Sequence, residues 1–147
     1  MINTPNLEQA KRIIKKAIEN NEKPIIVKAQ NDEFNRKILE YGKFNIILRL
    51  EENKEKNKLK QLNSGLNHVL AKIAEKNKIA IGIELNEIRA LKDEEKSAII
   101  SKIIQNIKIC RKAKAKIKLL NYKDKYNAFS LLISLGASTA QAKEAIS

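Results

Sequence analysis

The chain has 147 residues and a net charge of +13, with 30 lysines and arginines against 17 aspartates and glutamates, so acidic partners are expected. A hydrophobic content of 43% is enough for the core of one domain over 1–147 and excludes a disordered chain. A single histidine, His68, and a single cysteine, Cys110, exclude a Cys/His zinc site, an internal disulfide and a catalytic histidine pair.

The N-terminal part of the chain predicts a helix, a strand and a second helix. Thr4 as N-cap and Pro5 at the first helical position predict an amphipathic first helix. A short β-branched run over 25–29 predicts a strand. Residues 32–41 then predict a second helix, which Gly42 ends.

The middle of the chain continues this alternation. Residues 44–50 predict a second strand, and the polar stretch over 51–62 is expected to be a loop or lid. Ser64 is expected to cap the next helix, because serine is a preferred N-cap residue. The apolar run over 79–85 predicts a third strand.

The C-terminal part predicts a long helix, a fourth strand and two closing helices. Asp93 begins the long helix, which carries a wide isoleucine stripe, and 117–121 predicts the strand. Gly136 ends the first closing helix. The second opens with a capping box between Ser138 and Gln141.

Strands that alternate with amphipathic helices indicate βα units, and hence a parallel sheet with right-handed connections. The sequence therefore predicts an α/β fold with about four strands and six helices. Strands that are apolar almost throughout predict that both faces of the sheet are covered. Because a packed parallel barrel needs about eight strands, either the sheet is open or the chain is part of something larger, for example a homodimer that closes one barrel.

A dense basic cluster lies near the end of the long helix and enters the fourth strand. It has seven basic residues and no acidic one: Lys102, Lys108, Arg111, Lys112, Lys114, Lys116 and Lys118. Three interpretations stay open. The cluster can be a ridge that contacts phosphates of structured RNA, a set of cations that stabilises the helix dipole, or partly a product of genome composition.

The start of the third predicted helix is a second candidate site. Amides at a helix N-terminus favour phosphate, and Lys60 and Lys72 flank the Ser64–His68 segment. The alternative is an ordinary capped helix, and a lone histidine in a first turn is more often structural than catalytic. Glu84, at the end of the third strand, could be a carboxylate at the mouth of a barrel, although it has no evident base or metal partner.

The most specific pattern is the stretch 64–86, which reads SGLNHVLAKIAEKNKIAIGIELN. It resembles the signature of the archaeal and eukaryotic ribonuclease P protein component 3 family, in which Ser-Gly-(Ile/Leu)-Asp-His-Val-Leu-Ala leads into a strand ending in Glu-(Leu/Ile)-Asn. Asn67 replaces the acidic residue of that signature. The matching motif positions are Ser64, Gly65, His68, Glu84 and Asn86. Asn35 and Arg36 resemble the family's upstream Asn-Arg pair.

The resemblance implies a partial TIM-like barrel from an N-terminally shortened member, and a protein subunit of ribonuclease P, which removes 5′ leaders from precursor tRNA. It implies that the RNA carries the active site with Mg²⁺, whereas the chain binds no cofactor and is not itself catalytic. The implied partners are ribonuclease P RNA, precursor tRNA and protein component 2, in a homodimer or heterotetramer. The expected RNA contacts outside the basic cluster are Asn35, Arg36, Lys60 and the start of the third helix.

Two alternatives belong to other functional classes. A stand-alone metal-dependent phosphoesterase of the polymerase and histidinol phosphatase type would need histidine ligands that a single histidine does not supply. A generic RNA-binding domain would bind without regard to the fold of the RNA. The sequence shows no export signal and no apolar stretch near the roughly 18 residues needed to span a bilayer, so a cytoplasmic location without membrane contact is expected.

Overall fold

A computed structural model describes residues 1–52, 63–86 and 88–147. The described strands are β1 (Ile26–Lys28), β2 (Ile46–Leu48), β3 (Ala80–Glu84) and β4 (Ile117–Leu120). The described helices are α1 (Leu7–Glu19), α2 (Asp32–Tyr41), α3 (His68–Lys76), α4 (Asp93–Ala113), α5 (Lys125–Ser134) and α6 (Thr139–Ala145). Short 3₁₀ turns lie at Leu50–Glu52 and Ile88–Ala90. None of the described helices is long and apolar enough to cross a membrane.

The four strands form one parallel sheet in the order β1-β2-β3-β4. At the β1 edge, Ile2 makes a parallel bridge to Val27, and at the other edge α6 packs against β4. Strands and helices alternate as the sequence predicts. The fold is a partial TIM-like α/β fold with four strands and six helices in the described part of the chain.

The helix ends follow side-chain caps, although two of the predicted caps are wrong. Asn6, not Thr4, caps α1, and its Oδ1 atom accepts a hydrogen bond from the backbone N–H of Gln9 at 3.0 Å. Thr4 is buried instead, and its hydroxyl oxygen accepts from the backbone N–H of Asn6. Likewise Asn67, not Ser64, caps α3. In both cases an asparagine closer to the helix supplies the acceptor, because asparagine caps as well as serine does.

Other predicted ends are confirmed. α2 spans Asp32–Tyr41 and ends at Gly42, which has a φ of 68°. α6 begins with the predicted capping box, in which Ser138 accepts from the Gln141 N–H and the Gln141 side chain accepts from the Ser138 N–H. These helices therefore begin and end where local sequence places them.

All six helices contribute to a single core on one face of the sheet. One fully buried residue from each of five helices illustrates this: Ala10, Ile38, Ala71, Ile107 and Leu132. From α6, Ala142 and Ala145 join the same core. The strand residues in the core alternate along the chain and pair across the sheet: Val27, Ile47, Ile81, Ile83, Ile117 and Leu119.

On the second face of the sheet, the described residues of β2 are buried, in keeping with the prediction that both faces are covered. Its residues alternate with the core residues, and Ile46 and Leu48 are buried there although they lie outside the helix core. Gly82 explains their burial. A Cβ atom at Gly82 would lie 2.7 Å from Cγ2 of Ile46 and 2.9 Å from Cδ1 of Leu48, so the absent side chain leaves room for both. Within the described residues, the apolar β2 strand thus packs on this face against the bare backbone of Gly82 in the neighbouring strand.

Candidate nucleic-acid interface

A groove of about 720 Å³ lies between the start of α3 and the exposed face of α4. It brings together two stretches that are far apart in sequence, the predicted motif and part of the basic cluster. Its lining residues are Asp32, Asn63, Ser64, Gly65, Leu66, Asn67, His68, Leu70, Ser101, Ile104, Gln105, Lys108, Ile109 and Lys112. The groove is thus mostly polar and basic, with one acid at its wall.

The segment before α3 is held by a hydrogen bond of Ser64 and by close packing of Gly65 against the backbone of Leu50. Ser64 is buried, and its hydroxyl donates to the carbonyl of Leu66 at 3.2 Å. Gly65 has a φ of 80°, and a Cβ atom there would collide with the carbonyl oxygen of Leu50. Only glycine tolerates both conditions. Ser64 and Gly65 therefore position the start of α3. The Ser64 hydroxyl is already hydrogen-bonded, and Gly65 has no side chain with which to contact a ligand.

Asn106 connects this segment to α4. Its Nδ2 atom donates to the carbonyl of Ser64 at 3.1 Å, and the residue is 3% exposed. Its Oδ1 atom has no hydrogen-bond partner in the described part of the chain. The sequence prediction missed Asn106, although an asparagine on the isoleucine stripe of α4 is the signal that could have identified it. The contact therefore joins the segment before α3 to α4.

The groove presents cations and amides to solvent. Lys108 and Lys112 lie one turn apart on α4, and both are exposed. His68, in the first turn of α3, is also exposed at the groove. The Asn67 side chain accepts from the Leu70 N–H at 2.8 Å, so it satisfies one amide of the first turn. The positive end of the α3 dipole adds to the charge of the lysines. Such an arrangement can bind phosphate groups.

The other predicted basic residues do not form one ridge with this pair. Three of them contact the C-terminal segment: Arg111 donates to the Gly136 carbonyl at 2.8 Å, Lys116 pairs with Glu144 at 3.0 Å, and Lys118 donates to the Ser147 carbonyl. Lys102 is half-buried, and Lys114 ends α4 at a φ of 62°. The seven residues therefore do not line one groove, because α4 ends at Ala113 and the chain continues through Lys116 into β4, which contains Lys118. An RNA contact through these residues stays a prediction.

The two residues of the predicted Asn-Arg contact differ in exposure. Asn35 is fully buried, and its side chain binds the Gln30 backbone, accepting from N–H at 2.7 Å and donating to C=O at 3.2 Å. A direct RNA contact through Asn35 does not fit this burial. Arg36 is exposed and pairs with Glu40 at 3.1 Å. Lys60 lies outside the described residues.

Carboxylates lie at the carboxyl end of the sheet. Glu51 follows β2 in the first 3₁₀ turn, is 5% exposed, and has its pKa raised to about 7, chiefly by burial. Glu84 ends β3, is half-buried, and adds to this rise in the pKa of Glu51. Asn86 is exposed just beyond it. Within the described residues, no group of three or more His, Cys, Asp or Glu side chains could hold a metal ion. The sequence predicts a loop or lid over 51–62, which did not identify the burial of Glu51; residues 53–62 of that stretch lie outside the described residues.

No family model and no curated protein matches this chain. Among solved structures, a chain of a cryo-EM structure of archaeal ribonuclease P with mature tRNA is similar, with a TM-score of 0.79 and 19% sequence identity. The similarity covers 97% of this chain and 61% of that chain, so this chain spans about three fifths of the length of the neighbour. At this identity the likeness shows the fold.

Proposed function

We propose that this chain is a protein subunit of ribonuclease P, in which it supports the catalytic RNA during removal of 5′ leaders from precursor tRNA. The observation that carries the proposal is the basic groove between α3 and α4, where Lys108, Lys112 and the start of α3 converge. The shared fold with a chain of archaeal ribonuclease P supports it. The resemblance of 64–86 to the component 3 signature points to the same role.

The groove acts electrostatically in this proposal. Lys108 and Lys112 contact backbone phosphates, and the amides at the start of α3 favour the same negative charge. Lysine is a compact charge that reads little sequence, so the groove recognises the shape of a folded RNA. By offsetting phosphate repulsion, the protein lowers the Mg²⁺ concentration at which the RNA is active. The RNA holds the reacting groups and its Mg²⁺, and protein component 2 is the protein partner.

A reconstitution tests the proposal. Ribonuclease P RNA is assembled with its other protein subunits, with and without the chain, and precursor tRNA cleavage is measured at moderate Mg²⁺. The chain is expected to increase cleavage. The K108A/K112A variant is expected to bind the RNA about tenfold more weakly and to reduce the salt slope of log affinity by about 2, or about 1 for each lysine.

The matched control is R12A/K16A. Arg12 and Lys16 are also exposed and one turn apart, but they lie on α1, so the control removes the same charge from another surface. It is expected to retain the wild-type slope. No gain in cleavage with the wild-type chain would refute the subunit role. Equal losses in both double variants would favour a generic basic RNA-binding domain, since the location of the charge would then be immaterial.

A further inference from the structure

A second cavity lies outside the groove between α3 and α4. It has a volume of about 340 Å³ and lies at the carboxyl ends of β3 and β4, between the second 3₁₀ turn and the start of α5. It shares no lining residue with the groove between α3 and α4. In open parallel sheets, ligands bind at the carboxyl ends of the strands, and pockets of roughly 300–1,000 Å³ hold small molecules.

Several polar side chains that line this cavity have no partner among the described residues, whereas the Asp124 carboxylate, which also lines it, accepts from the backbone N–H groups of Tyr126 and Asn127. Arg89 and Lys123 line it and are exposed, and neither takes part in an ion pair or hydrogen bond with another residue that the structure describes. The side-chain amides of Asn121 and Asn127 line it as well and are likewise unbonded. Elsewhere several surface cations of this chain pair with acids, such as Lys37 with Glu33 at 2.8 Å. Two cations thus line one cavity together with the side-chain amides of Asn121 and Asn127.

One wall of the cavity is aromatic and held in place. The Tyr122 hydroxyl donates to the Ile146 carbonyl at 2.7 Å, so the ring is anchored at its far end. Leu120 and Leu131 supply apolar surface beside it. Asn121 precedes the tyrosine with a φ of 57°, a left-handed turn directly after β4. A fixed ring with apolar neighbours is a surface on which a nucleobase stacks.

From this combination we propose that the cavity binds a single unpaired nucleotide. The base stacks on Tyr122, the phosphate pairs with Arg89 and Lys123, and the two amides bond the edge of the base, as asparagine does in base recognition. The site differs in chemistry from the groove, which has cations but no aromatic wall. It goes beyond the proposed function, because it assigns to this chain a contact with a base as well as with a backbone.

Titration of the whole chain with nucleoside 5′-monophosphates tests the proposal, with NMR chemical shifts as the readout. Shifts are expected at the backbone amides around Tyr122 and Arg89. Y122L keeps apolar volume but removes the stacking ring, and is expected to weaken binding about tenfold. R89Q/K123Q alters two exposed residues and should weaken it by a similar factor. Y122F keeps the ring and is expected to bind nearly as the wild type does.

Three comparisons decide the outcome. Inorganic phosphate and unphosphorylated nucleosides are expected to bind more weakly than the nucleoside monophosphates. The K108A/K112A variant is expected to bind the monophosphates as tightly as the wild type does. If a single-stranded RNA tetramer binds more tightly than the monophosphate, the natural ligand is a nucleotide within an RNA chain. If the two affinities are equal, the ligand is a free nucleotide. Both results support the site. No saturable shifts, or equal binding of phosphate and monophosphate, overturn it. Loss of the reconstituted cleavage would leave this result unaffected.

Discussion

Replacement of Glu51 by glutamine is expected to remove a pH dependence from the stability of the protein. Glu51 is 5% exposed, and burial raises its pKa from 4.5 to about 7, with smaller rises due to Glu52 and Glu84 and a lowering by Arg49. Between these two values the folded state keeps a proton that the unfolded state releases. The free energy of unfolding therefore falls as the pH rises from 4.5 to about 7 and is constant above that.

The size of the effect follows from the two pKa values. At about 1.4 kcal/mol for each pH unit, the loss amounts to roughly 3 kcal/mol by pH 8. Glutamine keeps the shape of the side chain and carries no charge, so Glu51→Gln is expected to be more stable than the wild type at high pH by up to about 3 kcal/mol. For a chain of this size, that difference is a rise of roughly 10 °C in Tm.

Urea unfolding at about pH 5 and about pH 8 measures the difference. The wild type is expected to lose stability between the two, and Glu51→Gln is expected to lose much less. Glu75→Gln, an exposed acid on α3, is the matched control and should follow the wild type. An equal pH dependence in Glu51→Gln and the wild type would show that Glu51 ionises freely in the folded state and would refute the argument from burial.

Three further outcomes follow from buried contacts. Gly65→Ala is expected to lower the free energy of unfolding, measured by thermal unfolding, by about 3 kcal/mol or more, because it adds a collision with the Leu50 carbonyl to a left-handed φ. Gly136→Ala is the control: its φ is 99° and no atom lies near the added methyl group, so it should cost only about 1 kcal/mol. Asn35→Ala removes the side-chain partner of two part-buried Gln30 backbone groups and is expected to cost about 2 kcal/mol while RNA affinity stays unchanged. Burial raises the pKa of the Cys110 thiol to about 12, so a thiol reagent at about pH 8 should label it only after unfolding.

The fold could be predicted because its signals are local. β-branched runs, amphipathic stripes and end signals such as Gly42 act within a few residues, and they identify the parallel βα units. The way in which the second face is covered could not be predicted. It depends on Ile46 and Leu48 meeting the bare backbone of Gly82 across the sheet, which is a contact between strands more than thirty positions apart.

The candidate site was only partly predictable for the same reason. Lys108 and Lys112 reach the groove, whereas Arg111 between them turns away to Gly136, because successive helical residues point about 100° apart. The number of charges along the sequence does not show on which side of the helix each charged side chain lies. Asn35 matches the family's pattern, yet its amide serves the Gln30 backbone. A motif residue can thus be required for the scaffold rather than for the ligand.

The strand order has a consequence for how the chain is made. Because β1, β2, β3 and β4 are neighbours in the order of synthesis, each new strand can add to an edge that earlier residues have already formed. Each described strand pairs with the strand next to it in sequence, so the sequence separation between contacting residues is small. A small separation favours folding during synthesis on the ribosome. Pulse-labelled hydrogen exchange is expected to show protection of β1 and β2 no later than that of β4. In this order the α5–α6 pair docks onto β4 after the four strands have paired.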